Sequence, residues 1–182
     1  MTERPRHAIV FGAAGLLGWS VLDQLLAAHP GPGSFSRVTA VVHRPASEAD
    51  LCLPPPSPQR PALRIVAGID LQQGTAHDLA RQLEDSVPDA GRITHVFYFV
   101  FSAFNDDHVR ECEINCGMMQ RVADAVDALA PELESFVYSG GTRVNPFSFP
   151  TAESRGSGLT RGFYLLPRGT AYTCPAARSR LR

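Results

Sequence analysis

The chain has 182 residues, 44% of them apolar or aromatic, which suffices for one domain with an ordinary core. A net charge of −1 argues against a basic nucleic-acid binder, and no run of about 18 apolar residues offers a membrane span. The opening Met1-Thr-Glu-Arg-Pro-Arg-His7 lacks a secretory apolar core, so a cytoplasmic protein is expected.

His7 to Phe11 is a short apolar run that reads as a buried strand. A glycine-rich turn follows, and then Trp19, Val21, Leu22, Leu25 and Leu26 recur at helical spacing until His29-Pro-Gly-Pro-Gly33 stops the helix. Arg37 to Val42 is β-branched and predicts a second strand. Ala46 to Pro61 is a proline-rich loop, with Leu53 to Arg60 expected to be irregular. Leu63 to Val66 predicts a third strand and Thr75 to Leu83 a helix.

Thr94 to Phe101 is nearly continuous in apolar and aromatic residues, the pattern of a strand covered on both faces. Asp106 to Ala130 reads as a long helix with a stripe of Val109, Cys112, Cys116, Met119, Ala123 and Val126. Ser135 to Ser139 predicts a fifth strand, where the sheet is expected to stop and leave an open edge. Strands alternating with helices predict an α/β fold: a Rossmann-type doubly wound parallel sheet in order 3-2-1-4-5, with an incomplete C-terminal half. Residues 1–147 would form the dinucleotide-binding domain. Residues 148–182 are a divergent tail: within Thr151 to Arg182 there are six Arg and a single acid, Glu153. That tail reads as poorly ordered sequence or as a basic arm for a partner.

All 17 positive residues are Arg. The absence of Lys excludes a Walker-A phosphate loop and any Schiff-base or catalytic lysine. Cys52, Cys112, Cys116 and Cys174 read as reduced thiols. Cys112 and Cys116 lie one helical turn apart and are expected to be buried on a helix face, with no further ligands to complete a metal site.

Gly12-x-x-Gly15-x-x-Gly18 sits between the first strand and the first helix. In that position Gly12 would allow the tight turn, Gly15 the approach of a pyrophosphate and Gly18 close helix–strand packing. The helix N-terminus, including Leu16 and Leu17, would then face the phosphates. The second strand ends in His43-Arg44, with no acid before Glu48. That favours NADP(H), whose 2′-phosphate an Arg accommodates, unless Arg44 is simply a solvated loop residue. Asp70, followed by Leu71, would accept a hydrogen bond from the adenine amine or cap the next helix.

The glycine spacing resembles that of extended and atypical short-chain dehydrogenases/reductases. Phe35 to Pro45, Gly68 to Leu71, Thr94 to Tyr98, Glu111 to Asn115 and Gly141-Thr-Arg143 resemble the progesterone 5β-reductase and iridoid synthase-like group, fungal relatives above all. The resemblance covers roughly residues 7 to 147, and the relatives are about twice as long, so it implies a C-terminally truncated member. It also implies NADPH-dependent reduction of the C=C bond of an enone, of terpenoid or polyketide type, in secondary metabolism. The family's Lys is matched by Arg143, and Tyr164 is the only local counterpart of its Tyr, closer to Arg143 than the family spacing. Weak or lost reductase turnover is therefore expected. The alternatives are a non-reducing isomerase or cyclase, and a non-enzymatic dinucleotide- or partner-binding domain. A small-molecule substrate and a homodimer across the open edge are expected, with no nucleic acid, membrane or metal.

Overall fold

Every residue of β1 (His7–Phe11) is buried, as a central strand requires. The computed structural model describes residues 5–104, 107–139 and 163–165. Ala8 and Val10 enter the core on one face of the sheet, and Ile9 and Phe11 enter the core on the other. This alternation makes the fold doubly wound.

β2 (Arg37–Val42) and β3 (Ala62–Ala67) lie successively on one side of β1. β4 (His95–Tyr98) and β5 (Ser135–Ser139) lie on the other. All four pairings are parallel, giving the expected order 3-2-1-4-5. α1 (Leu16–Leu26) connects β1 to β2 and packs Leu22, Leu25 and Leu26 against Val10, Val38, Ala40 and Val42. α2 (Ala76–Ser86) and α3 (His108–Leu129) cover the opposite face with Leu79, Leu83, Met118, Val122 and Val126. The chain leaves β1 toward β2 and later crosses back to β4, so the switch point lies between β1 and β4.

The sheet does not stop at five strands. β6 (Phe163–Leu165) pairs antiparallel with β5 and occupies the edge expected to be open there. β4 is shorter than the apolar run suggests. Its neighbour β1 ends at Phe11, and after the Phe99 N–H donates to the Phe11 carbonyl (3.0 Å) the chain leaves the ladder. Leu53 to Arg60 is irregular, as its prolines dictate, and Arg60 closes the loop by donating to Glu48 (2.6 Å) and to the Pro54 carbonyl (2.9 Å).

The buried stripe of α3 also differs from the expected one. Met118, Val122, Ala125 and Val126 face the core, while Met119 and Ala123 only flank it and Val109 is exposed. Two apolar stripes lie side by side on this helix, and the one anchored by Val122 and Val126 packs on the sheet. Val109 is in the first turn of α3.

Candidate functional site

The turn between β1 and α1 lies at the carboxyl edge of the sheet, beside the switch point. Gly12 has φ +78°, and a Cβ there would meet the Phe99 carbonyl oxygen at 2.8 Å. Only glycine accepts both the conformation and the proximity of the chain leaving β4. Gly15 is the N-cap of α1; its N–H donates to the Gly12 carbonyl (2.9 Å) and its carbonyl accepts from the Trp19 N–H (2.7 Å). Gly18 is buried against the same turn.

No side chain caps α1, and its first turn holds no acid. The first-turn N–H groups have no acceptor within the helix, and they add to the positive end of the helix dipole. A pyrophosphate fits this arrangement. Leu16 and Leu17 are exposed beside it.

His43 and Arg44 follow β2 directly and are exposed. The nearest acid along the loop, Glu48, is bound to Arg60, and among the described residues no carboxylate bridges Arg44. The guanidinium is thus available to an anion at the end of β2. Asp70 is exposed after β3, but it does not cap α2. Its carboxylate accepts from the Gln72 N–H (2.9 Å), while Thr75 caps α2 in a reciprocal capping box with Asp78. Leu71 turns its side chain into the core, and its carbonyl accepts from Arg121. A cleft of about 340 Å³ is lined by Asp70, Asp78, Asp85 and Arg81 among others, and three carboxylates against one guanidinium make it a poor site for a dinucleotide's phosphates. Tyr164 lies on β6 opposite Tyr138 of β5. Arg143 falls outside the described residues, as does Cys174. Cys112 and Cys116 are half-buried rather than fully buried.

α3 holds the two loops that border this edge. Arg121 also donates to the Gly74 carbonyl (2.8 Å), securing the turn after β3. Asn115 accepts from the Ser102 N–H (2.8 Å) and donates to the Ser102 carbonyl (2.8 Å) and to its own helix at the Glu111 carbonyl (2.7 Å). Glu111 is buried, and its carboxyl accepts from the Phe104 N–H (3.0 Å). Sequence reasoning misses these roles. The signal that could reveal them is an acid and an amide one turn apart at the start of an otherwise apolar-striped helix.

The large hydrophobic side chains exposed among the described residues are Leu16, Leu17, Phe101 and Val109. They come from the first turn of α1, the β4–α3 loop and the first turn of α3, all at one edge of the sheet. These exposed apolar side chains and the positive end of the α1 dipole share that edge.

Residues 8–148 match the family described as PRISE-like Rossmann-fold domain. The chain belongs to that family. Among curated relatives, it is 32% identical over 136 residues to the short chain dehydrogenase sirQ of Leptosphaeria maculans, covering 74% of this chain and 33% of the relative. It is 30% identical over 138 residues to the short chain dehydrogenase ausT of Aspergillus calidoustus, covering 74% and 32%. The chain therefore spans about a third of the length of these relatives. Among solved structures, Gre2 from Candida albicans superimposes with a TM-score of 0.52 at 19% identity, covering 75% of this chain and 37% of that one. At that identity the likeness concerns the fold. No helix among the described residues is long and apolar enough to cross a membrane.

Proposed function

We propose that this family member binds NADP(H) and is the dinucleotide-binding part of a short-chain dehydrogenase/reductase that reduces the C=C bond of an apolar enone. The observation that carries this reading is the uncapped N-terminus of α1 behind Gly12 and Gly15, with the unbridged Arg44 at the end of β2. The names of its relatives, short chain dehydrogenases, support the reaction class. The exposed Leu16, Leu17, Phe101 and Val109 support an apolar substrate.

When bound, NADPH supplies the hydride. The chain's own residues do the rest: the α1 amides hold the pyrophosphate, Arg44 pairs with the 2′-phosphate, and α3 fixes the bordering loops through Glu111, Asn115 and Arg121. The family's Lys is replaced by Arg143, which cannot give up its proton, and Tyr164 is the remaining hydroxyl candidate. We accordingly expect dinucleotide binding with weak or absent turnover. Titration with NADPH and NADH, followed by an enone-reduction assay, tests this. NADPH binding with slow enone reduction is expected. Absence of dinucleotide binding overturns the assignment, and product formed without cofactor replaces reduction by isomerisation or cyclisation.

A further inference from the structure

Cys112 and Cys116 project from successive turns of α3 with their Sγ atoms 3.8 Å apart, and both are reduced and half-buried. We propose that they form a two-thiolate binding site for a soft monovalent cation of the Cu(I) class. Two sulfurs held about 2.3 Å from one ion, at the trigonal angle of a three-sulfur site, stand about 4.0 Å apart. The helix presents the pair close to that separation. Thiolates select soft ions over hard ones. Among the described residues no group of three or more His, Cys, Asp or Glu forms a metal cluster. Cu(I) is satisfied by two sulfurs and a small exogenous thiol, whereas a structural zinc site requires four ligands.

A disulfide is the competing fate of the pair, and helix geometry opposes it. Cβ atoms one turn apart are about 5–6 Å from each other. A disulfide needs about 3.5–4.5 Å. Closing the bond would bend the turn that carries Glu111 and Asn115, each adjacent in sequence to one of the cysteines, and so strain the bonds to Phe104 and Ser102. A bound ion spans the gap and leaves those bonds intact. Binding converts two thiols and Cu⁺ into a dithiolate complex with release of two protons and no change of oxidation state, so it tightens as pH rises.

The test is Cu(I) titration of the full chain under anaerobic conditions against bicinchoninate, read by the absorbance of the competitor complex. Alkylation mapped by mass spectrometry identifies the protected cysteines. One equivalent is expected to be withheld, with Cys112 and Cys116 protected and Cys52 modified. Cys112→Ser or Cys116→Ser, in a Cys52→Ser/Cys174→Ser background, should weaken capture roughly 100-fold through loss of chelation. Failure of the unsubstituted protein to withhold copper overturns the proposal. So does protection that omits either helix cysteine, or a Cys112–Cys116 disulfide formed by mild oxidant with the helix content unchanged.

Discussion

Gly18 rests directly on the carbonyl group of Gly12: a Cβ added to Gly18 would lie 2.7 Å from the Gly12 carbonyl carbon. The first turn of α1 is thereby pressed onto the end of β1. A methyl group at Gly18 must displace backbone, so Gly18→Ala should cost about 1–3 kcal/mol and abolish dinucleotide binding. Gly15 is different, since the nearest atom to its Cβ is the Gly12 oxygen at 3.3 Å. Gly15→Ala should change stability by under about 1 kcal/mol while weakening dinucleotide binding, because the added methyl stands where a pyrophosphate must approach. Urea unfolding and cofactor titration check both, and equal stability losses would contradict the distinction.

Arg44 is expected to discriminate between the dinucleotides. Arg44→Ala should weaken NADPH binding by about 1.5–3 kcal/mol, the worth of a charge-assisted hydrogen bond, and leave NADH binding nearly unchanged. Fluorescence titration with both cofactors measures it. Parallel losses would make Arg44 a structural residue.

His7 should make the fold acid-sensitive. Burial, helped by the nearby Arg37, pushes its imidazole down to about 4, and its Nδ1 is buried without a partner among the described residues. The other ring nitrogen hydrogen-bonds the Thr39 hydroxyl at 2.9 Å. The folded value lies below the ordinary 6.5, so the contribution is complete above pH 6.5. As pH falls from there toward 4, the unfolded chain takes up a proton that the folded chain refuses, and stability declines by on the order of 2–3 kcal/mol. Urea midpoints across that window should fall more steeply for the natural sequence than for His7→Gln.

Glu111 should control the order of the β4–α3 loop. Glu111→Ala removes the acceptor for the Phe104 N–H and should cost about 1–3 kcal/mol, whereas Glu111→Gln retains an acceptor oxygen and should cost less. Hydrogen exchange at Phe104 should accelerate in the alanine variant and stay near its natural rate in the glutamine one.

The strand order and the β1–α1 turn were legible because they rest on local patterns: short apolar runs, alternating helices and three glycines at fixed spacing. The extent of β4 was not. Phe99 and Phe101 look as strand-like as Phe97, and only the end of β1 at Phe11 decides where pairing ceases. Val126 is buried as expected, but the rest of the α3 stripe was misplaced because Met118 and Met119, both apolar and adjacent, allow either face to dock. β6 was hidden because Phe163-Tyr-Leu165 is too short to announce itself beside glycine and proline, and its partner strand lies more than twenty residues earlier. The Glu111 and Asn115 contacts depend on where a distant loop arrives, which no spacing along the helix encodes.

The chain contains a single tryptophan, Trp19, which follows Gly18 in the first turn of α1 and donates its indole N–H to the Leu51 carbonyl at 2.6 Å. That bond joins the proposed phosphate-facing helix end to the proline-rich loop after β2. The protein therefore carries its own optical probe. Detachment of the loop would wet the indole and shift its emission to longer wavelength. A reduced nicotinamide absorbs where tryptophan emits, so NADPH bound at this edge would quench Trp19 by energy transfer, and an oxidised dinucleotide would do so far less. Loop docking and cofactor capture thus become separately observable in one unlabelled sample.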